Sequence, residues 1–259
     1  MNVRSALASV VNGCLNRLGY ALVRLDGDHI HTTFASHLGV QYAYQNIVIT
    51  DAFAPWAIDT EFVSIWNRIR ANTLVDIYRC YELYQLGRDV AHIQGDVLEV
   101  GVWRGGTGAL LAAAANRWKP GARVWLCDTF EGVVKAGEHD PAYEGGEHSD
   151  TSKETVEALT SELGLDNVVV LAGAFPDETA SAVNDRQIAL CHVDVDVYQS
   201  ASEIVSWAYP RMPSGAILVF DDYGFSTCKG VTRLVEELKM NGEWRFLYNL
   251  NKHAVLTKR

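Results

Sequence analysis

Four aspartates stand in pairs at the ends of two neighbouring apolar segments. Asp194 and Asp196 end the first segment, and Asp221 and Asp222 end the second. In an open α/β sheet, ligands bind beyond the carboxyl ends of the strands. Carboxylates that converge there repel one another unless protons or a cation offset their charge. Oxygen ligands suit Mg²⁺, Mn²⁺ or Ca²⁺ rather than zinc, so the pattern predicts a divalent-cation site.

The same aspartates also have a structural interpretation. Asp196 could cap the helix that follows it, and Asp221 and Asp222 could be ordinary loop residues. If strand geometry continues through residues 194–196, Asp194 and Asp196 point the same way. His192 lies inside the apolar segment and is interpreted as a core histidine rather than a metal ligand.

A glycine-rich loop follows an earlier apolar strand. It contains Gly101, Gly105, Gly106 and Gly108, although Val102, Trp103 and Arg104 break the usual GxGxxG spacing. Glycines at a strand-to-helix turn let a ligand approach the backbone closely. The loop therefore indicates a nucleotide-like cofactor, with a tight turn that binds nothing as the alternative.

Two acids near this loop narrow the choice of cofactor. Asp128 ends the next strand, about twenty residues further along, where an acid accepts hydrogen bonds from ribose hydroxyls; a turn cap is the alternative. Glu99 lies within a strand, where an unpaired carboxylate is costly. We therefore expect Glu99 to contact a backbone amide or a ligand ammonium group. A cofactor with an adenosine, a positive charge and no phosphate, such as S-adenosylmethionine, fits both acids.

The elements that must position these residues form an alternating pattern. Short apolar strands that alternate with helices predict a parallel sheet covered on both faces, which is a doubly wound α/β domain. The last two strands, around Asn251-Lys252, predict an antiparallel pair joined by a two-residue polar turn. The seven predicted strands are 96–101, 123–128, 167–171, 187–194, 216–220 and two within 246–257.

The N-terminal part has a different pattern. Apolar residues between Val3 and Leu18 recur at helical spacing beside Arg4 and Arg17, which predicts a basic amphipathic helix. Such a helix packs on its own domain or a partner subunit, or contacts a membrane surface through residues 2–18. We expect one or two further helices from Asp59 to Leu86, ended by Gly87. Residues 1–56 are interpreted as a lid or oligomerisation segment, and residues 57–259 as the main domain.

Composition excludes several classes of protein. Acidic residues number 32 against 22 basic ones, giving a formal net charge of −10, so a nucleic-acid partner is not expected. The 5 cysteines include no CxxC pair, so we expect neither a disulfide framework nor a cysteine zinc site, and we expect a cytoplasmic protein. No apolar run is long enough for a transmembrane helix.

Five motifs then follow one another in an order that resembles the macrocin O-methyltransferase family. They are Gly101-Val-Trp-Arg-Gly-Gly, Asp128-Thr-Phe-Glu-Gly, Ala174-Phe-Pro-Asp, His192-Val-Asp-Val-Asp-Val-Tyr and Phe220-Asp-Asp-Tyr-Gly. The resemblance runs from about Pro55 to the C-terminus. It implies a class I S-adenosylmethionine-dependent, Rossmann-like fold, Mg²⁺ (or Mn²⁺) as a second cofactor, and methylation of a sugar hydroxyl on a glycosylated small molecule. We also expect a homo-oligomer.

The resemblance also implies roles for individual residues. Asp194, Asp221 and Asp222 would hold the metal, and Asp196 would be the general base. The cofactor would contact Glu99, Gly101, Val102, Trp103, Arg104, Gly105, Gly106, Asp128, Thr129 and Phe130. One departure from the family pattern is Val133-Val-Lys135 after Gly132, which opens a loop up to Asp150 that we expect to border the acceptor pocket.

Three other functions share parts of this pattern. A metal-dependent glycosyltransferase would use Asp194-Val-Asp196 as a DxD motif, but it leaves Asp221, Asp222 and the glycine loop unexplained. A catechol-type methyltransferase shares the metal chemistry but not the amino-acid sequence of the motif from His192 to Tyr198. A non-catalytic S-adenosylmethionine-binding or scaffold protein has no use for four clustered acids.

Overall fold

The computed structural model describes residues 53–248 and 251–259, and near the N-terminus residues 11, 15, 24–26 and 29–31. The chain divides into two compact units, Met1–Pro55 and Trp56–Arg259. In the first, β1 (Arg24–Asp26) pairs antiparallel with β2 (His29–His31). Val11 and Leu15 are helical, and the rest of the predicted N-terminal helix lies outside the described residues. The lid or oligomerisation role of residues 1–56 stays a prediction.

The second unit contains a seven-stranded sheet in the order β5-β4-β3-β6-β7-β9-β8. Strands β3 to β7 run parallel, β9 is antiparallel to β7, and β8 is antiparallel to β9. This confirms the predicted doubly wound sheet with its antiparallel C-terminal pair. The strands are β3 Asp96–Val100, β4 Val124–Asp128, β5 Val168–Ala172, β6 Ile188–Val193, β7 Ile217–Phe220, β8 Trp244–Tyr248 and β9 Ala254–Lys258.

Helices cover both faces of the sheet. Every residue of β3, β6 and β7 is buried, which explains why β6 and β7 are near-continuous apolar runs in the sequence. One apolar core packs α1 to α4 against the sheet, and a second packs α5 and α6. The helices are α1 Thr60–Ile69, α2 Ile77–Asp89, α3 Gly106–Trp118, α4 Lys153–Glu162, α5 Tyr198–Ala208 and α6 Lys229–Met240.

The segment after Asp59 forms two helices, and both begin at an aspartate. The Asp59 carboxylate accepts a hydrogen bond from the Phe62 amide, and the Asp76 carboxylate accepts from two amides at the start of α2. The prediction that Gly87 ends the second helix is wrong, because α2 continues to Asp89. A Cβ at Gly87 would lie 2.8 Å from the Cβ of Ala114, so this glycine lets α2 and α3 pack closely.

The C-terminal pair differs from its prediction in one detail. Asn251, Lys252 and His253 all lie outside the strands, so the predicted two-residue turn at Asn251-Lys252 is wrong. The last strand of the chain, β9, lies inside the sheet between β7 and β8. As a result, the residues that lead into β9 lie beside the end of β7, next to the predicted metal site.

Four of the cysteines lie in the described part of the chain. Cys80, Cys127, Cys191 and Cys228 are free thiols and buried, and Cys14 lies outside the described residues. None of the helices in the described part of the chain has both the length and the apolar character needed to cross a membrane.

Candidate functional site

The glycine loop begins where β3 ends, and its first glycine touches the end of β6. Gly101 has a φ of 87°, and a Cβ at this position would overlap the carbonyl oxygen of Asp194. Only glycine fits both the backbone conformation and the close approach. The loop that we predicted to bind a cofactor and the first of the four aspartates are therefore in direct contact.

Asp128 organises this loop from the end of the neighbouring strand β4. One carboxylate oxygen accepts hydrogen bonds from the amides of Val102 (2.6 Å) and Trp103 (2.9 Å), and the other accepts from Phe130 (2.7 Å). The turn-capping role that we kept as an alternative is thus present. Asp128 also lines the cavity, where a contact with a ribose stays a prediction.

The two aspartate pairs converge, as expected for neighbouring parallel strands. Asp194, Asp221 and Asp222 each offer a carboxylate oxygen, and these oxygens lie within 4.8 Å of one another. Asp221 and Asp222 are buried, at 5% and 6% exposure. Asp221 and Asp222 thus lie in a turn but are shielded from solvent, unlike ordinary surface-loop residues.

Asp221 is surrounded by basic side chains. Its Oδ2 accepts a hydrogen bond from Arg79 of α2, and its Oδ1 is 2.9 Å from Nε2 of His253, just before β9. Glu82 holds the opposite nitrogen of His253 at 2.6 Å. Neither Arg79 nor His253 was predicted as a site residue, because no local motif marks them and only the fold places them beside Asp221.

The surroundings of Asp194, Asp221 and Asp222 shift the pKa values of these carboxyl groups in opposite directions. Burial would raise the pKa of Asp221, but His192, His253 and Arg79 hold it below the usual range. Burial and the neighbouring carboxylates raise the pKa of Asp194 and of Asp222 well above the usual range. A second and a third negative charge are therefore unfavourable here unless a cation joins them.

This arrangement fits a divalent cation. The three nearby donors are carboxylate oxygens, which suit Mg²⁺ or Mn²⁺. Asp194 receives no side-chain hydrogen bond within the described part of the chain, and it lines the cavity. Of the three carboxylates, that of Asp194 would therefore be stabilised most by a bound cation.

Asp196 lies beside this cluster and does not cap a helix. Its φ of 65° shows that strand geometry ends before residue 196, so the condition under which Asp194 and Asp196 would point the same way is not met. The N-cap of α5 is Val197. The backbone amide of Asp196 donates to Oδ2 of Asp222 at 3.0 Å. The Asp196 carboxylate accepts a hydrogen bond from the Tyr143 hydroxyl at 2.6 Å.

Glu99 pairs with a histidine of the adjacent strand. Its Oε1 lies 2.8 Å from Nδ1 of His192, and both side chains are fully buried. Burial lowers the pKa of His192, but hydrogen bonds and charges of Asp221 and Glu99 raise it to about 9. The partner within the protein is thus a histidine, and a contact of Glu99 with a ligand ammonium group stays a prediction. Glu99 stands behind the cavity wall rather than on it.

A cavity of about 330 Å³ connects the glycine loop to the aspartates. Ten residues were predicted to contact the cofactor, and the structure divides them. Those that line the cavity are Gly101, Val102, Trp103, Asp128 and Thr129. Those outside its lining are Glu99, Arg104, Gly105, Gly106 and Phe130. The Arg104 guanidinium bonds to the Asp150 carboxylate at 2.6 Å, which ties the loop to the end of segment 133–150.

Segment 133–150, predicted to border the acceptor pocket, contributes Val133, Val134, Lys135, Tyr143 and His148 to the cavity wall. The predicted base and the predicted metal ligands line the same cavity. Tyr143 was not singled out from the sequence, although the segment that carries it was.

Comparisons with known proteins identify relatives of this chain. A family model described as Macrocin-O-methyltransferase (TylF) matches residues 66–243. A rhamnosyl-tetracenomycin-C 4'-O-methyltransferase from Streptomyces olivaceus is 31% identical over 171 residues, 61% of this chain and 65% of the relative. Mycinamicin III 3''-O-methyltransferase from Micromonospora griseorubida is 32% identical over 149 residues, 53% of this chain and 58% of the relative.

Among solved structures, the O-methyltransferase NovP superposes with a TM-score of 0.62 at 24% identity, covering 72% of this chain and 82% of that one. This likeness concerns the fold. The chain matches 65% and 58% of the lengths of the two curated relatives, less than two thirds of each, whereas the family model covers most of the main domain. The chain therefore belongs to the macrocin O-methyltransferase (TylF) family.

Proposed function

We propose that this protein transfers a methyl group from S-adenosylmethionine to a sugar hydroxyl of a glycosylated natural product, in a reaction that requires Mg²⁺ or Mn²⁺. The observation that carries the proposal is the shared cavity. A glycine loop organised by Asp128 forms one part of its wall, and four aspartates form another. Family membership and the names of the curated relatives, which are sugar O-methyltransferases, support the same activity.

We assign the cofactor to the side of the cavity formed by the glycine loop. Gly101 and Trp103 would lie beside the methionine part, and Asp128 beside the ribose. Asp128 already receives three amide hydrogen bonds, so it presents a carboxylate whose position is fixed before the cofactor arrives. Arg104, Gly105, Gly106 and Phe130 would shape this loop from behind.

We assign the metal to Asp194, Asp221 and Asp222. A bound divalent cation lowers the pKa of a coordinated hydroxyl and fixes its orientation. Arg79 and His253 hold Asp221 in the ionised form, ready to act as a ligand. The Glu99–His192 pair supports the same carboxylate from behind, since Nε2 of His192 is 3.9 Å from Oδ1 of Asp221.

We assign the general base to Asp196. A sugar hydroxyl is a weak nucleophile at neutral pH, and a carboxylate beside it takes the proton as the oxygen attacks the sulfonium methyl group. Asp196 lies next to the predicted metal ligands and faces the same cavity. Holding both substrates in one cavity supplies the proximity that the transfer needs.

The direct test is methyl transfer to defined acceptors. The purified protein is incubated with S-adenosylmethionine and MgCl₂, and mycinamicin III, demethyldecarbamoylnovobiocin or TDP-rhamnose is offered as acceptor. Mass spectrometry should detect one added methyl group on a sugar, and EDTA should abolish it. Undiminished transfer in metal-free buffer would contradict the metal assignment.

The methyl-transfer assay and calorimetric binding measurements together separate the alternative functions. Methylation of a catechol but of no sugar would indicate a phenolic methyltransferase. Calorimetric binding of UDP but not of S-adenosylhomocysteine would indicate a glycosyltransferase. Binding of S-adenosylhomocysteine without binding of any divalent cation would favour a non-catalytic protein. We propose further that the enzyme acts in the cytoplasm as a homo-oligomer, which sedimentation of the purified chain can test.

A further inference from the structure

Tyr143 reaches the predicted base from a distant part of the chain. Its hydroxyl donates a hydrogen bond to Oδ1 of Asp196 at 2.6 Å, and Sγ of Cys228 lies 3.3 Å from the same hydroxyl. Tyr143 is half-buried and lines the cavity. The hydroxyl is therefore placed against the base at the wall of the cavity, and 53 residues separate it from Asp196 in the chain.

The two oxygens of Asp196 are not equivalent. Oδ1 receives the Tyr143 hydroxyl and a long contact of 3.5 Å from Sγ of Cys228. No hydrogen bond from the described residues reaches Oδ2. The backbone amide of Asp196, which donates to Asp222, fixes the main chain at this point. One oxygen is thus held by the protein, and the other is left for a ligand.

The segment that carries Tyr143 is firmly anchored. The Tyr143 amide donates to the carbonyl oxygen of Asp140 at 3.0 Å, and Asp140 is 1% exposed. One oxygen of the Asp140 carboxylate accepts from the Tyr198 amide at the start of α5, and the other accepts from Gly137. A Cβ at Gly230, at the start of α6, would overlap this carboxylate. Tyr143 is therefore fixed relative to both helices.

The Tyr143 hydroxyl keeps its proton. Burial and the hydrogen bond to Asp196 raise the pKa of Tyr143 well above its usual range. Tyr143 is thus a donor toward Asp196 and does not compete with it as a base.

We propose that Tyr143 is a positioning residue that holds Oδ1 of Asp196 and leaves Oδ2 to receive the proton of the acceptor hydroxyl. This inference rests on the proposed methyl transfer. In that step the acceptor O–H bond breaks and its proton moves to Oδ2. A new O–C bond forms to the methyl group, and the electron pair of the S–C bond returns to sulfur, leaving S-adenosylhomocysteine. Tyr143 gains and loses nothing.

The test compares Tyr143→Phe with the wild type, using whichever acceptor of the panel above is methylated. Losing a hydrogen bond to a charged group should lower kcat by about 10- to 100-fold. The KM for S-adenosylmethionine and the calorimetric affinity for S-adenosylhomocysteine should not change. Tyr198→Phe is the matched control, because its hydroxyl binds exposed Glu237 at 2.7 Å and Tyr198 does not line the cavity.

A double-mutant cycle separates positioning from a general structural effect. If Tyr143 acts through Asp196, Tyr143→Phe should change kcat by less than about twofold in an Asp196→Asn background, since the two losses are not additive. An unchanged kcat in the single variant, or an undiminished loss in the double variant, would overturn the inference while the proposed function stands. A wild-type protein that methylates no acceptor would overturn the proposed function, and the inference with it.

Discussion

The sharpest test of the metal site needs no acceptor, because it measures the stability of the protein. Asp194→Asn removes one carboxylate of the cluster and keeps its size. The buried Asp194 carboxylate is repelled by the carboxylates of Asp221, Asp222 and Asp196, whereas Asp221 itself already pairs with Arg79 and His253. In metal-free buffer this substitution should therefore stabilise the fold, whereas most substitutions of buried polar residues destabilise it.

The distance sets the size of the effect. Two full charges within 4.8 Å of each other, at an effective dielectric constant of about 20, repel by about 3 kcal/mol. Partial protonation lowers this figure, so we expect Asp194→Asn to gain about 1–3 kcal/mol at pH 8. For a chain of this size, each kcal/mol shifts the Tm by about 2–4 °C.

The pH dependence follows from the raised pKa values of Asp194 and Asp222. A carboxyl group with a raised pKa in the folded state binds more protons there than when unfolded. Its favourable contribution is complete below the unfolded pKa and is lost as the pH rises through the folded pKa. The stability advantage of Asp194→Asn over the wild type should therefore grow from pH 5 to pH 8.

The assay is thermal unfolding with EDTA and with increasing MgCl₂. A ligand at 100 times its Kd stabilises by about 2.7 kcal/mol, so the wild-type Tm should rise with Mg²⁺ and that of Asp194→Asn should rise much less. Asp185→Asn, at an exposed position, is the matched control and should behave as the wild type. The reasoning would be refuted if neither Mg²⁺ nor Mn²⁺ changed the wild-type Tm and Asp194→Asn were less stable than the wild type in EDTA.

Three further predictions concern single residues. Asp196→Asn should lower kcat by about two to four orders of magnitude without changing Mg²⁺ or S-adenosylhomocysteine affinity, and rescue by excess Mg²⁺ would instead make Asp196 a ligand. Asp128→Ala leaves three backbone amides without their hydrogen-bond acceptor, so calorimetry should show at least about 100-fold weaker S-adenosylhomocysteine binding. An unchanged affinity would remove Asp128 from the site. Gly230→Ala should displace the Asp140 carboxylate and lower the Tm by several degrees, whereas Gly137→Ala, where a Cβ meets open space, should cost much less.

Much of the fold could be predicted from local pattern. Strands buried on both faces need apolar residues on both sides, so β6 and β7 are recognisable as near-continuous apolar runs. Where the pattern failed, packing was the cause. Gly87 is typical of a helix end, but the approach of Ala114 makes it a contact residue within α2. No local signal distinguishes these two uses of a glycine.

The sequence by itself determined that the acids meet. Adjacent parallel strands have their carboxyl ends at the same edge of the sheet. The aspartates that follow β6 and β7 are therefore neighbours. It also determined the glycine loop, because Gly101 is the residue type that a close approach to Asp194 requires.

Only the tertiary structure decided what surrounds those acids. Arg79 comes from α2 and His253 from the approach to β9, and each reaches Asp221 across more than thirty residues of chain. Glu99 pairs with His192 on the adjacent strand, and Tyr143 donates a hydrogen bond to the distant Asp196. The physical reason is that pairing of buried charges depends on distance in space. Sequence spacing fixes that distance within one strand or helix, and packing fixes it between them.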